Sequence, residues 1–93
     1  MIRSFADTDT ESIAIGTRSR KLPGDIQQRA QRRMKLLAAA ESLDELGELP
    51  GNRLHALKDD RAGQHSISIN MQWRICFVWK DGDAYDVEIT DYH

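Results

Sequence analysis

Cysteine occurs once in the 93 residues, at Cys76, and proline twice, at Pro23 and Pro50. A single thiol cannot close an intramolecular disulfide or build a structural zinc site, so both kinds of stapled small domain are excluded. No apolar run approaches the roughly 18–20 residues that cross a bilayer. The opening Met1-Ile2-Arg3-Ser4-Phe5-Ala6-Asp7 lacks the apolar core of a signal peptide. The expected address is the cytoplasm, without a membrane partner. There is no glycine-rich phosphate loop, repeat or low-complexity tract, which removes nucleotide hydrolysis by that route and any solenoid. Single domains run from about 50 to 250 residues, so residues 1–93 read as one domain. A doubly wound nucleotide fold or a barrel enzyme needs more chain than this.

What is present suits a foldable chain: 40% of residues are hydrophobic and 30% charged. The net charge of −2 conceals an asymmetry. Residues 18–35 carry Arg18, Arg20, Lys21, Arg29, Arg32, Arg33 and Lys35 against a single acid, Asp25. Such a local excess has two readings, a polyanion footprint or a solvated helix face.

Residues 2–5 suit a short opening strand. Thr8-Asp9-Thr10-Glu11 has a capping-box pattern, so a short helix is expected from there to about Gly16. Leu22-Pro23-Gly24-Asp25 starts a second helix. Ile26, Ala30, Met34 and Leu37 form its apolar stripe, while Gln27, Gln28, Arg29, Gln31, Arg32 and Lys35 fall on a polar, basic outer face. This helix should fade near Ser42, and residues 43–49 allow one more helical turn before Pro50-Gly51-Asn52 breaks the chain. The period then changes to two. Ile67 and Ile69 alternate with Ser66 and Ser68; residues 73–79 are apolar on both parities apart from Arg74, as in a central strand. Asp81-Gly82 predicts a two-residue hairpin turn, and Tyr85, Val87 and Ile89 alternate along the last strand. The fold class is α+β, with N-terminal helices on one face of a mainly antiparallel, twisted sheet.

Three features exceed what burial explains. Arg74 interrupts the most apolar strand, and a cation there must be paired or aimed into a site; a salt bridge to Glu88 or Asp86 is the structural alternative. Asp91-Tyr92-His93 places three proton-capable side chains directly after a strand, where a frayed tail is the alternative. His55 and Lys58 follow the sharp break at 50–52. RNA phosphodiester cleavage can use such a set without a metal. One group removes the 2′-hydroxyl proton, the internal oxygen attacks phosphorus, a second group protonates the departing 5′-oxygen, and cations stabilise the phosphoryl charge. Imidazole suits the proton transfers because its unperturbed pKa is about 6.5. A carboxylate such as Asp91 orients it, Arg74 and Lys58 meet phosphate, and the Tyr92 ring can stack on an unpaired base. A metal site from His55, His65, His93 and Asp91 lacks diagnostic spacing; His65 reads as a strand-edge residue and Cys76 as inert packing.

The run Pro50-Gly51-Asn52-Arg53-Leu54-His55-Ala56-Leu57-Lys58, continued by Asp59-Asp60-Arg61-Ala62-Gly63-Gln64-His65-Ser66-Ile67, resembles the HigB toxins of the RelE/ParE-like superfamily. So do Ile69-Asn70-Met71-Gln72-Trp73-Arg74-Ile75-Cys76-Phe77 and the ending Tyr85-Asp86-Val87-Glu88-Ile89-Thr90-Asp91-Tyr92-His93. The opening Ile2-Arg3-Ser4-Phe5 and the Leu22-Pro23 helix start fit as well. Many RelE-type nucleases have a more cation-rich site ending in tyrosine, and the Asp91-Tyr92-His93 ending favours the HigB branch.

The resemblance implies a small RelE/ParE-like toxin of a type II toxin–antitoxin system that cleaves mRNA on the ribosome without a cofactor. Its partner would be a HigA-type helix-turn-helix antitoxin, with operator DNA reached only through that antitoxin. The catalytic set implied is His55, Asp91, Tyr92 and His93, supported by Lys58 and Arg74. Arg18, Arg20, Lys21, Arg29, Arg32, Arg33 and Arg53 would hold ribosomal RNA. Two alternatives keep the fold: a ParE-like inhibitor of DNA gyrase, and a weakly active toxin serving mainly as its antitoxin's partner. Glu41, Asp44, Glu45, Glu48 and the pair Asp59-Asp60 flank the proposed RNA surface, and acid there costs affinity for a polyanion.

Overall fold

The computed structural model describes residues 1–91. Three helices precede a four-stranded antiparallel sheet: α1 Thr8–Ala14, α2 Gly24–Ala39, α3 Leu43–Glu48, then β1 His55–Ala56, β2 Gln64–Ser68, β3 Trp73–Lys80 and β4 Asp83–Asp91, with a 3₁₀ turn at Asp59–Arg61 between β1 and β2. The strands lie in chain order β1-β2-β3-β4.

The helical signals act mostly where the sequence places them. Ile26, Ala30, Met34 and Leu37 are all 3% exposed or less, so the stripe of α2 is the face laid on the sheet. The N-cap of α1 is Asp7 rather than Thr8: its carboxylate accepts from the Thr10 amide at 2.7 Å. Asp is at least as good a cap as Thr; one turn on, the Thr10 hydroxyl accepts from the Ile89 amide at 3.0 Å. Gln27 also departs from the expected outer face. It is buried, its Oε1 accepting from Ser19 N and its Nε2 donating to the carbonyls of Ser19 and Leu22, so it folds the 17–22 loop onto α2. The helix ends at Ala39, three residues short of Ser42, and Ser42 instead caps α3 by accepting from the Glu45 amide.

Asp81 and Gly82 both take positive φ (53° and 82°), the geometry a two-residue hairpin needs to match strand twist. Further along β4 the register with β3 slips by one residue, because Cys76 pairs with Glu88 but Val78 with Tyr85. Asp86, at φ 53°, carries this bulge. There β4 turns toward the N-terminal segment. Residues 2–5 form two isolated parallel bridges to it, Ile2 with Ala84 and Phe5 with Val87, instead of a regular strand. These bridges and the Thr10 hydroxyl occupy hydrogen-bonding groups along the outer edge of β4, which protects it from pairing with another chain.

Strand parity divides the sheet into two faces. Ile67, Ile75, Phe77, Val87 and Ile89 point one way, toward Ile13, Ile26, Ala30, Met34 and Leu37, and form the core. The other face has no helix over it.

Candidate active site

Residues directly opposite one another in a sheet share a face. His55 pairs with Ser66, Ser66 with Cys76 and Cys76 with Glu88; the next rung of that face is Ser68, Arg74 and Thr90. His55 and Arg74 therefore lie on the same open face, two strands and one rung apart. Most residues on this face are polar, although Ser66 and Cys76 at its centre are fully buried.

The position of Arg74 is well determined. Its Nε donates to Ser66 Oγ at 2.7 Å, and its Nη2 donates to the Arg53 carbonyl at 2.6 Å and to the Ser66 carbonyl at 3.3 Å. Ser66 is fully buried and is the cross-strand partner of His55; Arg53 precedes His55 by two residues. The guanidinium thus ties the start of β1 to β3. The salt bridge to Glu88 or Asp86 is not what holds it. Glu88 pairs with Arg61 at 3.1 Å, and Arg61 also donates to Gln64 Oε1 at 3.0 Å. Since Gln64 belongs to β2 and Glu88 to β4, Arg61 reaches across β3 on the open face. Cys76, on the rung of Glu88, is fully buried. Sequence reading missed Arg61 because its partners come together only once the strands are in register.

His55 is exposed on β1. Lys58 is exposed too, two residues past the end of β1, where it opens the 3₁₀ turn. Asp91 ends β4 opposite Trp73 and accepts from Gln72 Nε2 at 3.1 Å. By parity it faces away from Arg74, at the same end of the sheet. Tyr92 and His93 lie outside the described residues. His65 is not at an edge: β2 runs between β1 and β3, and its ring stacks on Phe77 (centroids 6.3 Å apart, planes at 25°) on the core face. His55 and His65 hence point to opposite sides of the sheet. No group of three or more His, Cys, Asp or Glu among the described residues is placed to hold a metal ion. Thr90 Oγ1, beside Arg74, and His65 Nδ1 are buried without a hydrogen-bond partner among the described residues.

Two asparagines absent from the sequence-based site support its flank. Asn52 is fully buried: its Nδ2 donates to the Leu46 carbonyl (3.1 Å), its Oδ1 accepts from Arg33 (2.8 Å), and its backbone carbonyl accepts from Ser68 N (2.6 Å). One side chain thereby ties α2 to α3, and the same residue's carbonyl ties both to β2. Asn70 Oδ1 accepts from the amides of Gln72 and Trp73, fixing the β2–β3 turn.

The basic residues remain largely unneutralised. Among the described residues, ion pairs to carboxylates involve the N-terminal amine, Arg3 and Arg61. Arg18, Arg20, Lys21, Arg29, Arg32 and Arg53 are exposed and Arg33 is half-buried.

Comparison with known proteins identifies the family of the chain. The profile described as "RelE-like toxin of type II toxin-antitoxin system HigB" matches residues 3–93. A Proteus vulgaris protein named endoribonuclease HigB is 44% identical over 59 residues, covering 61% of this chain and 64% of that protein. The chain thus spans just under two thirds of that relative's length. Toxin HigB-1 of Vibrio cholerae serotype O1 is 37% identical over 75 residues, covering 81% and 79%. Among solved structures, a chain of the YoeB–YefM complex from Staphylococcus aureus superposes with a TM-score of 0.57 at 14% identity, over 100% of this chain and 98% of that one. That likeness bears on fold alone. No helix among the described residues is long and apolar enough to cross a membrane. The matched profile, taken with the two HigB relatives, shows that this chain belongs to the RelE-like HigB toxins of type II toxin–antitoxin systems.

Proposed function

We propose that the chain, one toxin domain over residues 1–93, is an endoribonuclease that cuts mRNA on the ribosome with the open face of its sheet. The observation that carries this reading is the placement of Arg74. Ser66 and the Arg53 carbonyl fix one side of its guanidinium next to the rung of His55. A guanidinium is a planar, permanently charged fork whose shape matches a phosphoryl group, and here it stands beside the rung of His55. In this reading His55 and His93 share the two proton transfers. Asp91, which ends β4 on the other side of the sheet from Arg74, would orient an imidazole from that end of the strand and not from the open face, while Tyr92 stacks on a base and Lys58 adds a second positive charge. The 2′-hydroxyl is the nucleophile, so neither a metal nor another cofactor is called for. Arg18, Arg20, Lys21, Arg29, Arg32, Arg33 and Arg53, none of them ion-paired to a carboxylate among the described residues, form the surface that meets RNA and the ribosome. The cytoplasm is where such a toxin would meet both its substrate and a HigA-type antitoxin, which alone would contact operator DNA.

Primer extension on a translated message tests the reading. Cuts that appear with ribosomes, vanish without them and persist in excess chelator while the ribosomes stay assembled are the expected result. Intact message accompanied by a DNA-damage response would transfer the chain to the gyrase-directed alternative.

A further inference from the structure

Beside the open face lies a second feature. A cleft of about 330 Å³ runs between α2 and the β2–β3 turn, lined by Arg29, Arg33, Gly51, Arg53, Ser68 and Met71 among others. Three arginines line it, and no Asp or Glu is among the lining residues. Two of them are held in place. Arg29 donates to the Ile69 carbonyl at 3.3 Å, and Arg33 donates to Asn52 Oδ1 at 2.8 Å. A Cβ on Gly51 would come within 2.9 Å of Arg33 Nη2, so the missing side chain, at φ 83°, is what lets that guanidinium lie against the loop. Each of these two bonds uses one nitrogen of a five-donor group and leaves the positive charge uncompensated. Across the cleft, Met71 is 91% exposed. A large apolar side chain held out on a turn whose backbone is fixed by Asn70 has no packing role in the chain itself.

We propose that this cleft is a nucleotide subsite: the three arginines take a backbone phosphate, and the Met71 thioether lies against the neighbouring base. The proposal rests on the nuclease reading and extends it, because the cleft adjoins that site. Ser68 lines the cleft and is the register partner of Arg74, while Arg53 lines it and offers its carbonyl to Arg74. A strand bound at Arg74 would continue into the cleft with its next phosphate. An acidic peptide would satisfy the cations but leave Met71 unused. RNA uses both, since sulfur–aromatic contact is favourable and base faces are aromatic.

Titrating the full ¹⁵N-labelled protein with a 2′-O-methylated RNA trinucleotide, inorganic phosphate or an oligo-glutamate peptide separates these cases without requiring cleavage. The expected result is saturable shifts at Gly51, Arg53, Ser68 and Met71 with the trinucleotide. Arg33→Gln should reduce the salt dependence of its affinity by about 0.7 in log–log slope, one phosphate contact to a single strand. Met71→Ser, on a fully exposed side chain that cannot threaten folding, should weaken the trinucleotide about two- to tenfold and leave phosphate unaffected. Shifts confined to other residues, tighter binding of oligo-glutamate than of RNA, or unchanged RNA affinity in Met71→Ser would each overturn the proposal. If the cleft binds RNA as described but the toxin leaves translated message intact, the nuclease reading fails and the cleft remains a nucleotide site.

Discussion

The two faces of the sheet are built from the same strands and differ in nearly everything else. Beneath α1 and α2, Ile67, Ile75, Phe77, Val87 and Ile89 pack against aliphatic side chains and carry the folding energy. On the opposite face the intervening residues are His55, Ser66, Arg74, Cys76, Glu88 and Thr90, where Arg74 bonds Ser66 and Glu88 pairs with Arg61. Period-two alternation separates the two tasks at single-residue resolution. In a chain this small, with little interior to spare, the separation lets one face be largely polar without weakening the other.

Substitutions on each face test that separation. The largest stability effect is expected from Phe77→Ala, which empties a fully buried position and should cost about 3–5 kcal/mol in urea unfolding. Asn52→Ala belongs to neither face, yet it strands the buried Leu46 carbonyl and releases Arg33; about 1–3 kcal/mol should be lost by the same measurement. Thr90→Val has the opposite sign. Its buried hydroxyl has no partner among the described residues, so the methyl should raise stability by about 1 kcal/mol. A drop in cleavage alongside that gain would show that the open face sacrifices stability for activity. The smallest effect concerns Asp83, whose hydrogen bond from Arg3, reinforced by the N-terminal amine, holds its carboxyl below the usual Asp value. A depressed carboxylate stabilises the fold above its unfolded pKa, and that contribution disappears as pH falls through the folded value. Asp83→Asn should therefore lower stability slightly at neutral pH, leave it unaltered in strong acid, and so flatten the pH dependence below about pH 4.

Local rules carry far in this chain. The α2 stripe, the Asp81-Gly82 turn and the strand alternation are properties of consecutive residues, and their physics is complete within a few positions. That is also why Arg74 stood out as an anomaly in an apolar strand. Its partners were not legible, because Ser66 and the Arg53 carbonyl reach it only through the register of β1, β2 and β3. Glu88 looked available until Arg61, from a loop, took it. Gln27 and Asn52 mislead for the same reason: a buried amide satisfied by distant backbone groups reads locally as a surface residue or a turn former. The bulge at Asp86 and the parallel bridges from residues 2–5 likewise depend on contacts more than 80 residues apart in the chain. Asp91 falls where the strand pattern places it, while the contribution of Tyr92 and His93 belongs to the proposed site.

The central claim is that the open face cuts RNA, and His55→Ala tests it most directly. This exposed β1 side chain lies outside the core, so the melting temperature should hardly change. Single-turnover cleavage of a ribosome-bound message, followed by primer extension, should slow by about 10²–10⁴-fold, the usual contribution of one positioned proton-transfer group. A folded His55→Ala protein that cuts at the unaltered rate would contradict the account.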